Sequence, residues 1–276
     1  MGRTLFIGCS HSIGYHELLI NKGNNVWQKN NYAEIYAQKN NKKSIIMASA
    51  GMGNREIVNF LSHAFKTYSD IEEVYIQSTY WGRFPIAINP SLAETDIFPL
   101  DFFTEKAECD NLIDRWTIGQ CQPDIYSGKW LQDYFKPEAY DYDNMPYIKN
   151  TTPTLQPNLR TSSYMYVKMY HYLQTHLEQQ DYMKDIAFCD MLCNINNANM
   201  YLWNINSRCF IPKEVNNFYT KLKKTTIADV DALNFLKQFS SKDLEEEKVD
   251  DEHYNEYVHK LIADYYIPFL KEQNIE

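Results

Sequence analysis

Leu5-Phe6-Ile7-Gly8-Cys9-Ser10-His11-Ser12-Ile13-Gly14 is the stretch whose reading decides the fold. An apolar strand, Arg3 to Ile7, ends at a glycine, and a serine follows just before a helix can begin. In an open α/β sheet, ligands bind beyond the carboxyl ends of the strands, so this is where such a sheet offers a nucleophile. A serine hydroxyl attacks well only when a base takes its proton, and a carboxylate usually holds that base. The strong candidate for the pair lies at the far end of the chain, in Asp250-Asp251-Glu252-His253. Both stretches have plainer readings. Ser10 suits the N-cap of the helix behind it, and Asp250 to His253 suits the acidic first turn of another.

Outward from Ser10, the pattern alternates strand and helix. Ile13 to Ile20 predicts a helix, broken by Lys22-Gly23-Asn24-Asn25, and Trp27 to Gln38 predicts a second. Ser44 to Ala48 is a continuous apolar run, the kind buried on both faces of a parallel sheet. Arg55 to Tyr68 places Ile57, Phe60, Leu61, Ala64 and Phe65 at helical spacing, and Val74 to Gln77 is a third strand. This order implies right-handed crossovers and a parallel sheet. Between about 81 and 160 the pattern dissolves into prolines and aromatics, which reads as a loop-rich insertion after strand three. Short helices are expected in it at Asp101 to Cys109 and Ser127 to Phe135. Beyond it come a helix at Thr161 to Gln179, a fourth strand at Asp185 to Asp190 and mainly helical structure over residues 200–240. A final helix, Tyr254 to Lys271, is expected to kink or stop at Pro268.

Composition narrows the classes of function. The 276 residues are 44% apolar, enough for a sizeable core in one α/β domain. A formal charge of −9 opposes a nucleic-acid surface, which shows as clustered Lys and Arg. No apolar run approaches the ~18 residues of a membrane span, and the first residues lack the pattern of a secretory leader. The six scattered cysteines read as reduced thiols rather than a disulfide framework. A cytoplasmic or virion setting is therefore expected, and the Asn, Lys, Tyr and Ile content suits an AT-rich genome, bacterial or viral. His11 and His16 beside Cys9 lack a carboxylate cluster, so no metal or other cofactor is expected. Cys189 and Cys193 read as buried thiols, and Asp243 to Glu247 as a solvated helical face.

Taken together, the two ends of the chain resemble the SGNH/GDSL hydrolase family. Its first motif, Gly-Asp-Ser-x-Ser/Thr-x-Gly, is matched by Gly8, Ser10, Ser12 and Gly14, with Cys9 in place of the aspartate. Its last, Asp-x-x-His, is matched by Asp250 and His253, and Tyr254 to Ala263 looks like the helix that follows. The resemblance implies a flavodoxin-like, three-layer α/β fold and an ester hydrolase working through an acyl-serine. Ser10 would be the nucleophile, His253 the general base and Asp250 its orienting carboxylate. The N–H groups of Ser10 and Gly51, the latter in Ala50-Gly51-Met52-Gly53-Asn54, would stabilise the oxyanion. The family's third block, Gly-x-Asn-Asp, is absent. Ser78-Thr79-Tyr80-Trp81 stands there, with Tyr80 in the asparagine's register and Thr79 or Ser78 as other donors. Asn54, Thr79 and Arg83 are candidate substrate contacts, although Arg83 equally suits bracing the insertion.

The substrate class expected is a small-molecule or carbohydrate ester, with O-acetyl groups on carbohydrate first, on fold analogy and the aromatic content of the insertion. The same site suits acyl transfer to another hydroxyl. A different class of reading is a binding or structural protein that keeps the fold without catalysis, motivated by the missing aspartate and asparagine. Neither nucleic acid nor membrane is expected as a partner, and the sequence does not specify an oligomeric state.

Overall fold

The computed structural model describes residues 2–13, 31–48, 54, 56–79, 84–85, 105–109, 112–117, 125–126, 181–206, 222–248 and 253–273. At its centre is β1 (Arg3–Gly8), flanked by β2 (Ser44–Ala48) and β3 (Ile71–Ser78). Both neighbours run parallel to it, with Gly8 opposite Ala48 and Ile7 opposite Ile76. β8 (Asn199–Asn204) continues the sheet beside β3, Ser78 facing Asn204, and β9 (Thr225–Ile227) lies beyond it. On the other side β6 (Ile113–Thr117) pairs parallel with β2, and β5 (Glu105–Cys109) closes that edge antiparallel to β6. The sheet order is β5-β6-β2-β1-β3-β8-β9. Its β2-β1-β3-β8-β9 portion is the flavodoxin-like order. β4 (Phe84–Pro85) and β7 (Ile125–Tyr126) form a separate antiparallel pair.

Successive side chains of a strand point to opposite faces, and here both faces are covered. Phe6, Ile46, Tyr75 and Trp203 face a layer built from α2 (Tyr32–Asn40), α5 (Ala232–Leu236) and the C-terminal helix. Leu5, Ile7, Ile45, Met47, Val74, Ile76, Met200 and Leu202 face α3 (Glu56–Thr67) and α4, the helix over residues 181–195. Each such side chain contributes about 1.5–3 kcal/mol by leaving water. That is why these strands are unbroken apolar runs instead of alternating ones. The result is the expected three-layer α/β sandwich. Among the described residues no helix is long and apolar enough to cross a membrane.

Several local expectations are corrected. The stretch Asp185 to Asp190 is helical, part of α4, where Tyr182, Ile186, Cys189 and Cys193 form the buried stripe. The parallel strand beside β3 is instead Asn199–Asn204, inside the region expected to be mainly helical, and β9 is a second strand there. Residues 105–109 are a strand, not a helix, because pairing with β6 outweighs their helical propensity. The helices expected at 127–135 and 161–179 lie outside the described residues. Asp243 to Glu247 forms turns, with Leu244 buried beneath them.

The C-terminal helix does not stop at Pro268. It runs as α6 (Glu256–Leu261), widens into a π turn over Ile262–Tyr266, and continues as α7 (Ile267–Glu272). A proline has no N–H to give the preceding turn and crowds its carbonyl. The wide turn just upstream lets the chain pass it, with Pro268 in the first turn of α7.

Candidate functional site

Three strand ends meet at the carboxyl edge of the sheet, where β1 parts from its neighbours at a topological switch point. Beyond β1, α1 (Ser10–Ile13) starts at once. Gly8 has a steric reason to be glycine. A Cβ there would come within 2.0 Å of Ser12 Oγ and 3.0 Å of the Gln77 side chain. The α1 turn therefore presses directly onto the end of β3.

What fills that contact is a buried hydrogen-bond chain. Ser12 Oγ donates to Gln77 Oε1 at 2.7 Å, because an amide oxygen can only accept. The Ser12 hydroxyl proton is thereby used, so the 2.6 Å contact between Ser12 Oγ and Tyr32 Oη has the tyrosine as donor. Burial pushes the Tyr32 phenol well above its ordinary range, so it keeps the proton this role requires. Gln77 Nε2 completes the chain at 3.8 Å from Cys9 Sγ. Of the two motif serines, Ser12 is thus committed to holding the turn. For Ser10 the backbone is described as the first residue of α1 and the side chain is not.

The C-terminal segment comes to the same place. His253 is half-buried, and its ring lies 5.0 Å from that of His11, centroid to centroid. His11 is itself buried, not at the surface, and its ring is also 6.0 Å from Tyr254. Tyr254 is buried and pairs with Lys248 in an isolated antiparallel bridge. Asn255 then caps α6, its Oδ1 accepting the N–H groups of Tyr257 and Val258, while its Nδ2 donates to Glu247 at 2.6 Å. A cap of this kind is worth about 1 kcal/mol and fixes where the helix begins. It also fixes His253, two residues before.

Beyond β2 and β3 the edge is fastened by one side chain. Asn54 is fully buried, its Oδ1 accepting the Thr79 N–H at 2.8 Å and its Nδ2 donating to the Thr79 carbonyl at 3.2 Å. The amide continues a ladder that β1 abandons when it turns at Gly8. Asn54, expected as a substrate contact, is here a clamp between the two loops. Ser78 Oγ is paired with Tyr182 Oη at 2.5 Å. Among the described residues Thr79 Oγ1 is buried without a hydrogen-bond partner, and so is Asn204 Oδ1 at the end of β8. Gln77, Tyr32 and Asn204 were not read from the sequence as residues of the site. No spacing points to them, since each acts through a neighbour brought there by the sheet.

Asp250, Gly51, Tyr80, Arg83 and His16 lie outside the described residues. Among the described residues no three His, Cys, Asp or Glu side chains converge as a metal site would require. Cys189 and Cys193 are buried free thiols whose pKa values burial raises, that of Cys193 to about 12.

No protein-family model matches the chain, and no curated protein matches it. A solved structure described as a lipolytic protein of the G-D-S-L family from Desulfitobacterium hafniense DCB-2 is similar over 96% of this chain and 98% of its own. Its TM-score is 0.47 and its sequence identity 10%.

Proposed function

We propose that the chain is a serine hydrolase that cleaves a carboxylic ester, with Ser10 as nucleophile and His253 as base. The observation that carries this reading is the approach of the His253 ring to within 5.0 Å of the ring of His11, the residue next to Ser10. The sheet edge where they meet is the one where α/β folds bind their ligands.

The chemistry runs in two steps. Ser10 Oγ attacks the ester carbonyl carbon as His253 takes the hydroxyl proton. The carbonyl electrons collect on oxygen, facing the N–H groups of Ser10 and Gly51. When the C–O bond to the alcohol breaks, His253 returns the proton to the departing oxygen and leaves an acyl-serine. Water then attacks the acyl carbon through the same base, releasing the acid and restoring Ser10. Asp250 would hold the imidazole in the tautomer that accepts at the Ser10 side. A third oxyanion donor is needed where the family has an asparagine, and Thr79 suits it, standing directly beyond the end of β3 with a buried hydroxyl that has no partner among the described residues. Tyr80 is the other candidate for that donor, and Arg83 would bind a carboxylate or phosphate of the substrate. The substrate proposed is a carbohydrate O-acetyl ester or a comparable small ester. Transfer of the acyl group to a sugar hydroxyl instead of water uses the same intermediate.

A fluorophosphonate probe tests the reading. The wild-type chain should be labelled at Ser10 and hydrolyse p-nitrophenyl acetate. A folded protein that does neither would be a binding or structural relative of the fold.

A further inference from the structure

The geometry points to His259 as the positioning residue that holds the His253 segment against the nucleophile turn, a role that rests on the proposed reading of Ser10 and His253. His259 lies on α6 and is buried. Side chains on a helix lean toward its N-terminus, which brings this ring back over the turn that carries His253 and Tyr254.

Nδ1 accepts the backbone N–H of Tyr32 at 3.3 Å, and the backbone of Tyr254 lies beside the ring. An Nδ1 that accepts carries no proton, so the neutral ring holds its proton on Nε2. The tie to Tyr32 therefore exists only for the neutral ring in one tautomer. Its surroundings keep it there: burial first, then the nearby charge of His253, lower its pKa to about 4.

The other end of the tie is the first helical N–H of α2. Asn31 Oδ1 caps that helix by accepting from Ala33 and Glu34, which leaves the Tyr32 N–H to His259. The Tyr32 ring stacks on His259 at 5.8 Å, and its hydroxyl donates to Ser12 Oγ inside α1. One imidazole, on the helix that follows His253, thus ties that segment to Tyr32, the support of the turn that begins at Ser10. The contact between His11 and His253 closes the circuit. A base must stand within hydrogen-bond reach of its proton, and a displacement of about 1 Å costs about 10²-fold in rate. A link between the two backbones is what sets that distance.

The alternative is that His259 only caps α2 and adds stability. Three variants of the full chain separate these roles. His259→Gln keeps a donor near the Nε2 position, His259→Asn keeps an acceptor near Nδ1, and His259→Leu keeps neither. Each is assayed, at a temperature where circular dichroism shows it folded, for fluorophosphonate labelling rate and for kcat and KM with p-nitrophenyl acetate. His259→Leu should lose about 10²-fold in kcat and labelling rate with KM changed less than about threefold. His259→Asn should recover more of that loss than His259→Gln, because it keeps the acceptor for the Tyr32 N–H. If His259→Leu does not fold, the amide variants decide, each expected to fall short of wild type in kcat. Folded variants that label and turn over at the wild-type rate overturn the assignment while leaving Ser10 and His253 standing. A wild-type chain that takes no label overturns the reading of Ser10 and His253, and this assignment with it.

Discussion

The rings of His11 and His253 lie 5.0 Å apart, although they come from opposite ends of the chain. Two imidazoles that close, one fully buried and one partly, are held there by neighbours. Tyr254 and the Asn255 cap fix one side, and the Ser12–Gln77–Tyr32 chain fixes the other.

Replacing the proposed triad members should act on rate with little effect on folding. Ser10→Ala should abolish fluorophosphonate labelling, and His253→Ala should lower kcat by about 10²–10⁴-fold. The double variant should be no worse than the poorer single one, because members of a triad act as a unit. Asp250→Asn is expected to cost less than either. Additive losses in the double variant would contradict a shared step.

Cys9 is the neighbour that most needs discriminating from Ser10. Its thiol is buried and 3.8 Å from Gln77 Nε2. Cys9→Ala should keep labelling and turnover within a fewfold of wild type. Peptide mapping of the labelled protein gives the answer directly: the adduct belongs on Ser10, and finding it on Cys9 would move the nucleophile by one residue.

Thr79→Val tests the third oxyanion donor through two opposite responses. Valine keeps the shape and removes a buried hydroxyl that has no partner among the described residues, so stability should hold or rise by up to about 1 kcal/mol in urea unfolding. If Thr79 faces the oxyanion, kcat should fall about 10²-fold with KM nearly constant. An unchanged kcat would assign that place to another residue.

Gly8→Ala and Tyr32→Phe should both damage the support of the turn. The alanine Cβ would collide with Ser12 Oγ, a packing conflict costing about 1–3 kcal/mol. Tyr32→Phe removes the donor to Ser12 and should cost about 1 kcal/mol. Thermal melts of the two variants, read beside the labelling rate, test whether stability and the site fall together.

Stability should also depend on acid in a way set by His259. In the unfolded chain a histidine takes up its proton near pH 6.5, whereas in the fold it resists until about pH 4. Between these values the unfolded state binds more protons, so stability rises with pH across the window. It should be complete above about 6.5, fall by up to about 1.4 kcal/mol per unit on the way down, and level off near 4. Urea unfolding of wild type and His259→Asn over this range provides the check. The variant should lose that slope.

How much of this was legible in the sequence varied with the kind of residue. β1, β2 and β3 could be read directly, because a strand covered on both faces must be apolar at every position, and Leu5-Phe6-Ile7 and Ile45-Ile46-Met47 are. Asp185 to Asp190 misled, since a short apolar run serves a buried strand or a helix equally well. The longer spacing of Tyr182, Ile186, Cys189 and Cys193 carried the helical period. Met200 to Trp203 was hidden by its aromatics and by the polar residues at either end of the strand.

Local chemistry and order are what the sequence determined by itself: a strand, a turn with Ser10, and an Asp-x-x-His ahead of the last helix. Only the tertiary structure decided where each histidine stands. His253, His259 and His11 are all plain imidazoles in the chain. Packing places His253 half-buried beside His11 and His259 in the interior against Tyr32. It likewise spends Asn54 on the Thr79 backbone and Ser12 on Gln77, leaving the Thr79 hydroxyl without a partner among the described residues. Hydrogen bonds between residues far apart in sequence exist only once the sheet brings their strands together. The sequence lists these partners, and the register of the strands selects among them.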